Sequence, residues 1–365
     1  MQPELQAVVL IPHLWVQNAN AIASPMSYGF PAITAFTGAV HAIERALNDV
    51  TDNANIGEAE HAATTIRLKG VGVVCHTAEA QPNRESGYVM RFNLRRDPVG
   101  ADGASAALVE EGRMHLDVSL VIGIESGCPI QSHAQRALAR RIDEQLRSMR
   151  LAGGSVLPHP MKALRKTPRL FEVPPGDDAR KTNFRKLTRL LLPGFALIGR
   201  HALLAEYLSA MQDKEPQATS LDALLDLCAL HWEPELLDEG DTGNDDVAAA
   251  MAVSTEPSSS KTQWQATRRK PGWLVPIPVG YAAISEVYAP GVVKRSRDPT
   301  VPFRFVENVL SLGEWKSPHR LTSLDELLWH HAAVPDKGLY LVKTVADTAS
   351  MPALNDIPDI AAIPA

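Results

Sequence analysis

The 365-residue chain is 45% hydrophobic and 21% charged, an ordinary balance for a soluble globular protein with a sizeable core. No apolar run approaches the roughly 20 residues of a membrane helix, and the N-terminal MQPELQAVVLIPHL lacks the charged region and cleavage site of a secretory signal. Three widely spaced cysteines (Cys75, Cys128, Cys228) argue against a disulfide framework or a zinc cluster, so the chain reads as cytoplasmic, without a membrane span.

The net charge of −6 hides an asymmetry. Residues 136–200 carry 15 Lys and Arg against 5 Asp and Glu, whereas residues 201–262 carry 2 against 13. A polyanion responds to a basic face rather than to the whole-chain sum, so nucleic acid is not excluded.

In chain order, Ala7–Val16 (AVVLIPHLWV) predicts a buried strand interrupted at Pro12, opening into Gln17, Asn18, Ala19 and Asn20. Phe36, Val40, Ile43 and Leu47 then form the core-facing stripe of a helix, with His41 off the stripe. Residues 49–64 predict a polar loop. Ile66–His76 predicts a second strand. Tyr88–Arg96 alternates: Tyr88, Met90, Phe92 and Leu94 share a face suited to packing, while Arg91, Asn93 and Arg95 share the other. Met114–Ile124 alternates again. A helix with a capping box at Ser132 and Gln135 carries an apolar stripe through Ala134, Leu138, Ile142, Leu146 and Met149.

That helix runs into Arg147-Ser-Met-Arg150-Leu-Ala-Gly153-Gly154-Ser155 and a short strand ending before Pro158. Two readings stay open for the paired glycines. They end a helix before a strand, or they expose consecutive N–H groups to a phosphate beside Arg147 and Arg150. The order strand, helix, strand, hairpin, helix, strand matches the split βαβ pattern of a ferredoxin-like or RRM-like α+β domain.

Beyond it lie a basic block over residues 159–192 and a strand at Gly194–Gly199. Helices follow at Leu203–Met211 and at Leu221–Leu230, the latter capped by Ser220. Residues 233–262 have the composition of a disordered acidic insert. Pro271–Pro278 predicts a proline-rich edge strand or strap. A helix is expected at Ser323 with Glu326 completing a capping box. The domain reading is a core over 1–200, a C-terminal extension over 201–345 and a mobile tail over 346–365.

No Walker loop, Rossmann glycine fingerprint, HExxH or nucleophile elbow occurs, and the 12 histidines are scattered, so no metal or cofactor is expected. His41 is the one candidate general base for a metal-independent ribonuclease, without an evident acid partner. Binding of single-stranded RNA has better material, namely Asn18 and Asn20, the Arg91, Asn93 and Arg95 face, and the loop of Arg147, Arg150, Gly153, Gly154 and Ser155. For the asparagines, ordinary turn formation is the competing reading.

Several long stretches together carry a family resemblance: LIPHLWVQNANAIASPMSYGFPAITAFTGAVHA, GVGVVCH, FNLRRDP with ALVEEGRMHLDVSL, MRLAGGSVLP, KLTRLLLPGFAL, TSLDALLDLC, KPGWLVPIPVGY, RFVENVLSLGEW with SPHR, and PDKGLY. From about residue 7 to 342 the chain resembles the second Csy subunits of type I-F CRISPR surveillance complexes, Cas-five-type members of the RAMP superfamily. The resemblance implies an RRM-like core with a thumb-like hairpin, placed at about residues 81–112, a less regular C-terminal region, and no catalytic activity. It implies that residues 150–156 are the superfamily's glycine-rich loop. It further implies pairing with the large Csy subunit, a hold on the 5′ handle of the CRISPR RNA, contact with the backbone subunit, and engagement of target DNA through the assembled complex.

Overall fold

The computed structural model describes residues 5–48, 66–84, 89–99, 103–126, 130, 132–236 and 262–348. Its first strand, β1 (Ala7–Asn20), is buried at its first eight positions, as an apolar run covered on both faces must be. Pro12 does not interrupt it. The backbone bulges between Ile11 and Leu14, with His13 at φ 50°, and pairing then resumes; the missing proline N–H falls where the ladder is already broken. A small hairpin of β2 (Ile22–Ser24) and β3 (Ser27–Tyr28) leads into α1 (Ile33–Asn48), which buries Phe36, Val40, Ile43 and Leu47 and leaves His41 exposed.

Strand β4 (Ile66–Ala80) outruns its expected end at His76 and pairs antiparallel with β9 (Arg113–Ser126). Between them the chain makes two short ladders. One joins β5 (Asn83–Arg84) to β6 (Met90–Arg91), the other joins β7 (Asn93–Arg96) to β8 (Leu108–Glu111). The apolar face expected along Tyr88–Leu94 does not pack. Met90 and Leu94 are 61% and 65% exposed, and Phe92 alone is seen to find a ring, Tyr28, at 5.0 Å. Both ladders stand beyond the last β4–β9 partners, Ala80 and Met114, so alternation here has no core to face. Tyr88 lies outside the described residues, as does the 49–64 loop.

Helix α2 (Ser132–Ser148) buries Leu138, Ile142 and Leu146 as its periodicity requires. The Ser132 side chain is outside the described set; Gln135 donates instead to the Ile130 carbonyl and to Glu172. Strands β10 (Arg150–Leu151) and β11 (Gly154–Leu157) follow. In the sheet the order is β11, β1, β9, β4, so the run β1-α1-β4-β9-α2-β11 lies last, first, third, second, with every neighbouring pair antiparallel.

The C-terminal half proves more regular than expected. After β12 (Arg169–Glu172), α3 (Asp177–Leu190), β13 (Phe195–Gly199), α4 (His201–Gln212) and α5 (Ser220–Cys228) come β14 (His231–Leu236) and β15 (Thr262–Thr267), which pair as a separate hairpin. Both ends of the acidic segment 233–262 are therefore strand; residues 237–261 lie outside the described set. Then β16 (Trp273–Ala283), β17 (Val306–Lys316), α6 (Leu324–Leu327), β18 (Trp329–Val334), β19 (Leu339–Thr344) and α7 (Val345–Thr348) complete the chain. The strands extend the main sheet as β4-β13-β17-β16-β19-β18, and Trp329 of β18 pairs with Val71 of β4, closing a ring. The proline half of β16 pairs with β17 alone, and β19 joins only at Gly280–Ala282, past Pro276 and Pro278.

Two caps differ from expectation. Helix α5 is capped by Thr219, not Ser220: its hydroxyl accepts from Asp222 N–H and the Asp222 carboxylate accepts from Thr219 N–H, a capping box one residue earlier. Ser323 makes no side-chain cap, and the Glu326 carboxylate that would complete a capping box is held by Lys316 and Thr322. At the start of the expected tail, buried Asp347 accepts from the first amides of α4, His201 at 2.8 Å and Ala202 at 2.9 Å. Residues 349–365 are outside the described set.

The fold is thus mixed α/β, with a large antiparallel sheet and, among the described residues, seven α-helices. Phe36, Ile43, Ile142 and Leu146 fill the core on one sheet face. Phe184, Leu187 and Leu327 fill it on the other, so the basic helix α3 sits away from α1 and α2. No described helix is long and apolar enough to cross a membrane.

Candidate nucleic-acid interface

The glycine-rich loop is a two-residue hairpin. Arg150 pairs with Ser155 and Leu151 with Gly154, leaving Ala152 (φ 50°) and Gly153 (φ 78°) as the turn. Positive φ at both central residues matches the twist of the flanking strands. Glycine meets that demand freely at 153, whereas alanine at 152 meets it at a cost of about 1 kcal/mol. The hairpin docks on the end of β1: Ser155 pairs with Gln17, and Asn20 N–H donates to the Ala152 carbonyl at 2.8 Å. Gly154 is what permits this approach, since a Cβ there would lie 2.7 Å from the Gln17 oxygen and 2.8 Å from the Ala19 nitrogen.

Around this turn the structure gathers Asn18, Asn20, Arg150, Gly153, Gly154 and Ser155. It adds Arg113, which sequence reading missed. Arg113 opposes Asn20 on β9, its guanidinium donates to the Asn18 carbonyl at 3.4 Å, and its Nη1 would lie 3.9 Å from a Cβ on Gly153. Arg150 is exposed, and among the described residues no carboxylate pairs with it.

Asn20 itself and the remaining expected residues are more committed. The Asn20 amide donates to the Ile22 carbonyl at 2.7 Å and accepts from Ile22 N–H, so it serves a local turn. Arg147 pairs with Asp143 one helical turn back at 2.9 Å. Asn93 donates to the Gln81 carbonyl. Arg95 meets Asp97 at 3.0 Å and Glu111 at 3.6 Å, and Glu111 also binds Arg113. That contact, chiefly the Arg113 hydrogen bond, holds the Glu111 carboxyl below the ordinary range. Glu111 thereby ties the ladder of Arg95 to the glycine turn, whereas Arg91 sits farther out, on the β5–β6 ladder.

A groove of about 680 Å³ opens beside the turn, lined by Asn20, Pro31, Thr34, Gly153, Tyr281 and Tyr340. The two tyrosines come from the C-terminal sheet and were also missed, because only the β16–β19 pairing brings them here. A second cleft of about 460 Å³, walled by Tyr28, Phe30, Phe195, Trp273 and Trp315, holds no Lys or Arg. The described lining of the first groove holds none either, but that groove borders the turn flanked by Arg113 and Arg150. His41 lies exposed on α1 with its ring 6.3 Å from His331, and no described carboxylate pairs with it.

A buried polar cluster lies deeper in the sheet. Asp117 accepts from His13 Nδ1 at 2.8 Å and lies 3.3 Å from His159 Nε2. His76 stacks on His13 at 4.2 Å, its Nδ1 bonded to the Pro193 carbonyl and its Nε2 to the Ser119 hydroxyl. Ligand atoms of His13, His76 and Asp117 come within 4.8 Å of one another. Yet both His76 nitrogens already have partners, and the carbonyl fixes the proton on Nδ1, so the cluster reads as a satisfied hydrogen-bond network.

Burial pushes His76 below the ordinary imidazole pKa, and His330 likewise. The unfolded chain takes up protons at these rings near pH 6.5, where the folded chain does not. Stability should therefore be fully present above that pH and decline as pH falls from about 6.5 toward 5. Melting temperature measured across this window should drop, and less so in His76→Gln, which keeps a donor for Pro193. A flat profile down to pH 5 would contradict the assignment.

Comparison with known proteins finds both a family and a curated relative. Residues 9–342 fit the family model described as CRISPR-associated protein (Cas_Csy2). The chain is also 46% identical over 337 residues to the CRISPR-associated protein Csy2 of Pseudomonas aeruginosa, covering 92% of this chain and 94% of that one.

Proposed function

Since this chain belongs to the Csy2 family of CRISPR-associated proteins, we propose that it is a non-catalytic, cytoplasmic RNA-binding subunit of a type I-F surveillance complex. In this reading it pairs with the large Csy subunit to hold the 5′ handle of the CRISPR RNA. It abuts the first backbone subunit, and it meets target DNA only through the assembled complex. The sheet order β11-β1-β9-β4 supports an RRM-like RAMP core, with the ladders of residues 81–112 as its thumb.

The observation that carries the proposal is the docking of the glycine turn on the end of β1. It sets Arg150, Arg113, the Asn18 backbone and Ser155 around the turn whose Ala152 and Gly153 line the neighbouring groove, with Arg95 reached through Glu111. Guanidiniums there neutralise phosphates and fix orientation, and the positive end of the α1 dipole, whose first turn includes Thr34 at the groove, adds to the same field. Target sequence is then read by base pairing of the guide rather than by this subunit.

The test is charge reversal. Arg91→Glu, Arg95→Glu and Arg150→Glu together should weaken assembly on guide RNA while the subunit still folds. For every phosphate that the variant no longer neutralises, the log-affinity against log-salt slope should flatten by about 0.7 for a single strand. Native-like assembly and an unchanged slope would overturn the proposal.

A further inference from the structure

Past the glycine turn, four rings continue in a row. Tyr281 and Tyr340 are partners across β16 and β19, with ring centroids 6.4 Å apart. Tyr340 and His331 follow at 6.1 Å with ring planes within 15°, then His331 and His41 at 6.3 Å. The row starts in the groove that Gly153 lines and ends on the outer side of α1. Tyr281 is 37% exposed, and His331 and His41 are exposed, so most of the row faces solvent rather than the core.

We propose that this row is a base-stacking track for single-stranded RNA, entered through the groove beside the glycine turn. The inference rests on the RNA-binding reading above and adds which chemistry meets the bases. In a duplex each base face is covered by its neighbours, so exposed rings can stack only on unpaired bases. Such stacking tolerates any base, because every base has a π-face. The division of labour follows from position: Arg113 and Arg150 hold backbone phosphates on the turn side, and the bases turn toward Tyr281, Tyr340 and His331. Thr34, which also lines the groove, supplies a polar edge between the two sides.

The experiment uses the full-length chain, alone and co-expressed with the complex it assembles into. The probes are a 12-nucleotide single-stranded oligoribonucleotide carrying 2-aminopurine at successive positions, and a duplex of the same length. Wild type should quench 2-aminopurine at one or more positions and prefer the single strand. Tyr281→Ala with Tyr340→Ala should relieve the quenching and weaken binding roughly ten-fold or more, while the salt slope stays unchanged because no charge is removed. Tyr281→Phe with Tyr340→Phe should bind like wild type. His331→Ala, at an exposed position that does not threaten folding, should weaken binding in the same direction.

Unchanged affinity and quenching in the alanine variants, with Arg150→Glu still weakening binding, would overturn the track and leave RNA binding standing. No RNA binding by the wild type, alone or in its complex, would remove both. Loss of protein assembly with RNA affinity intact would assign the rings to a protein partner instead, which also overturns the track.

Discussion

Gly154→Ala should unseat the β10–β11 hairpin and lower RNA binding with it. The methyl group would sit 2.7 Å from the Gln17 oxygen, 2.8 Å from the Ala19 nitrogen and 2.8 Å from Val16 Cγ1. Two of those three are backbone of β1, which is held on its other side by a long ladder with β9 and cannot yield. Overpacking of this kind costs about 1–3 kcal/mol where the surroundings are rigid. The cheaper escape is for the short hairpin to lift off the sheet edge, which moves Arg150 and Ser155 away from Asn18 and Arg113.

The neighbouring positions separate this clash from backbone strain. A Cβ on Gly153 has no contact closer than 3.9 Å, so Gly153→Ala should cost only the left-handed φ, about 1 kcal/mol. Ala152→Gly should gain a similar amount by relieving the same strain. Chemical denaturation of the three variants, with RNA titration alongside, should rank Gly154→Ala as the most damaging in both measurements. A Gly154→Ala protein as stable and as RNA-competent as wild type would show that the hairpin does not depend on this close approach.

Much of the architecture is legible in local pattern. The helical stripe of Phe36, Val40, Ile43 and Leu47 appears as expected. So does the unbroken apolar run of β1, because burial on both faces leaves no room for alternation. Gly153 and Gly154 announce a turn whose two roles, left-handed φ and close approach, fall one on each residue. Alternation misled at residues 88–96, since period two says which side chains share a face but not whether a core lies beneath it.

What a single sequence conceals is pairing at a distance. Asp117 and His13 are 104 positions apart, and Asp117 falls in a strand whose apolar residues already explain its pattern. Tyr281 and Tyr340 sit in motifs that read as strands, and only the closure of β16, β19 and β18 onto β4 carries them to the glycine turn. Arg147 shows the opposite case: Asp143, four residues earlier on the same helix, was visible as its partner, and that pairing reduces its freedom to bind a phosphate.

That closure has one side chain at its seam, and removing it should be the costliest change for the C-terminal sheet. Trp329 is 1% exposed, pairs with Val71 of β4, and donates its indole N–H to the Leu197 carbonyl at 2.8 Å. Trp329→Ala should lose about 3–5 kcal/mol through the cavity and the missing transfer free energy, with the Leu197 carbonyl deprived of a donor in a buried place. Trp329→Phe keeps most of the volume and loses the donor, so its cost should be nearer 1–2 kcal/mol. Because α1 also packs against β16, β18 and β19, loosening this seam separates the strands bearing Tyr340 and His331 from the helix and turn that form the opposite wall of the groove. Denaturation midpoints should therefore fall in the order wild type, Phe, Ala, with amide exchange in β18 and β19 rising first. RNA affinity should fall in the same order even where the protein remains folded. If Trp329→Ala instead lost under 1 kcal/mol with β18 and β19 still protected, the ring would be held by its backbone ladders rather than by the indole, and the groove should then survive the substitution.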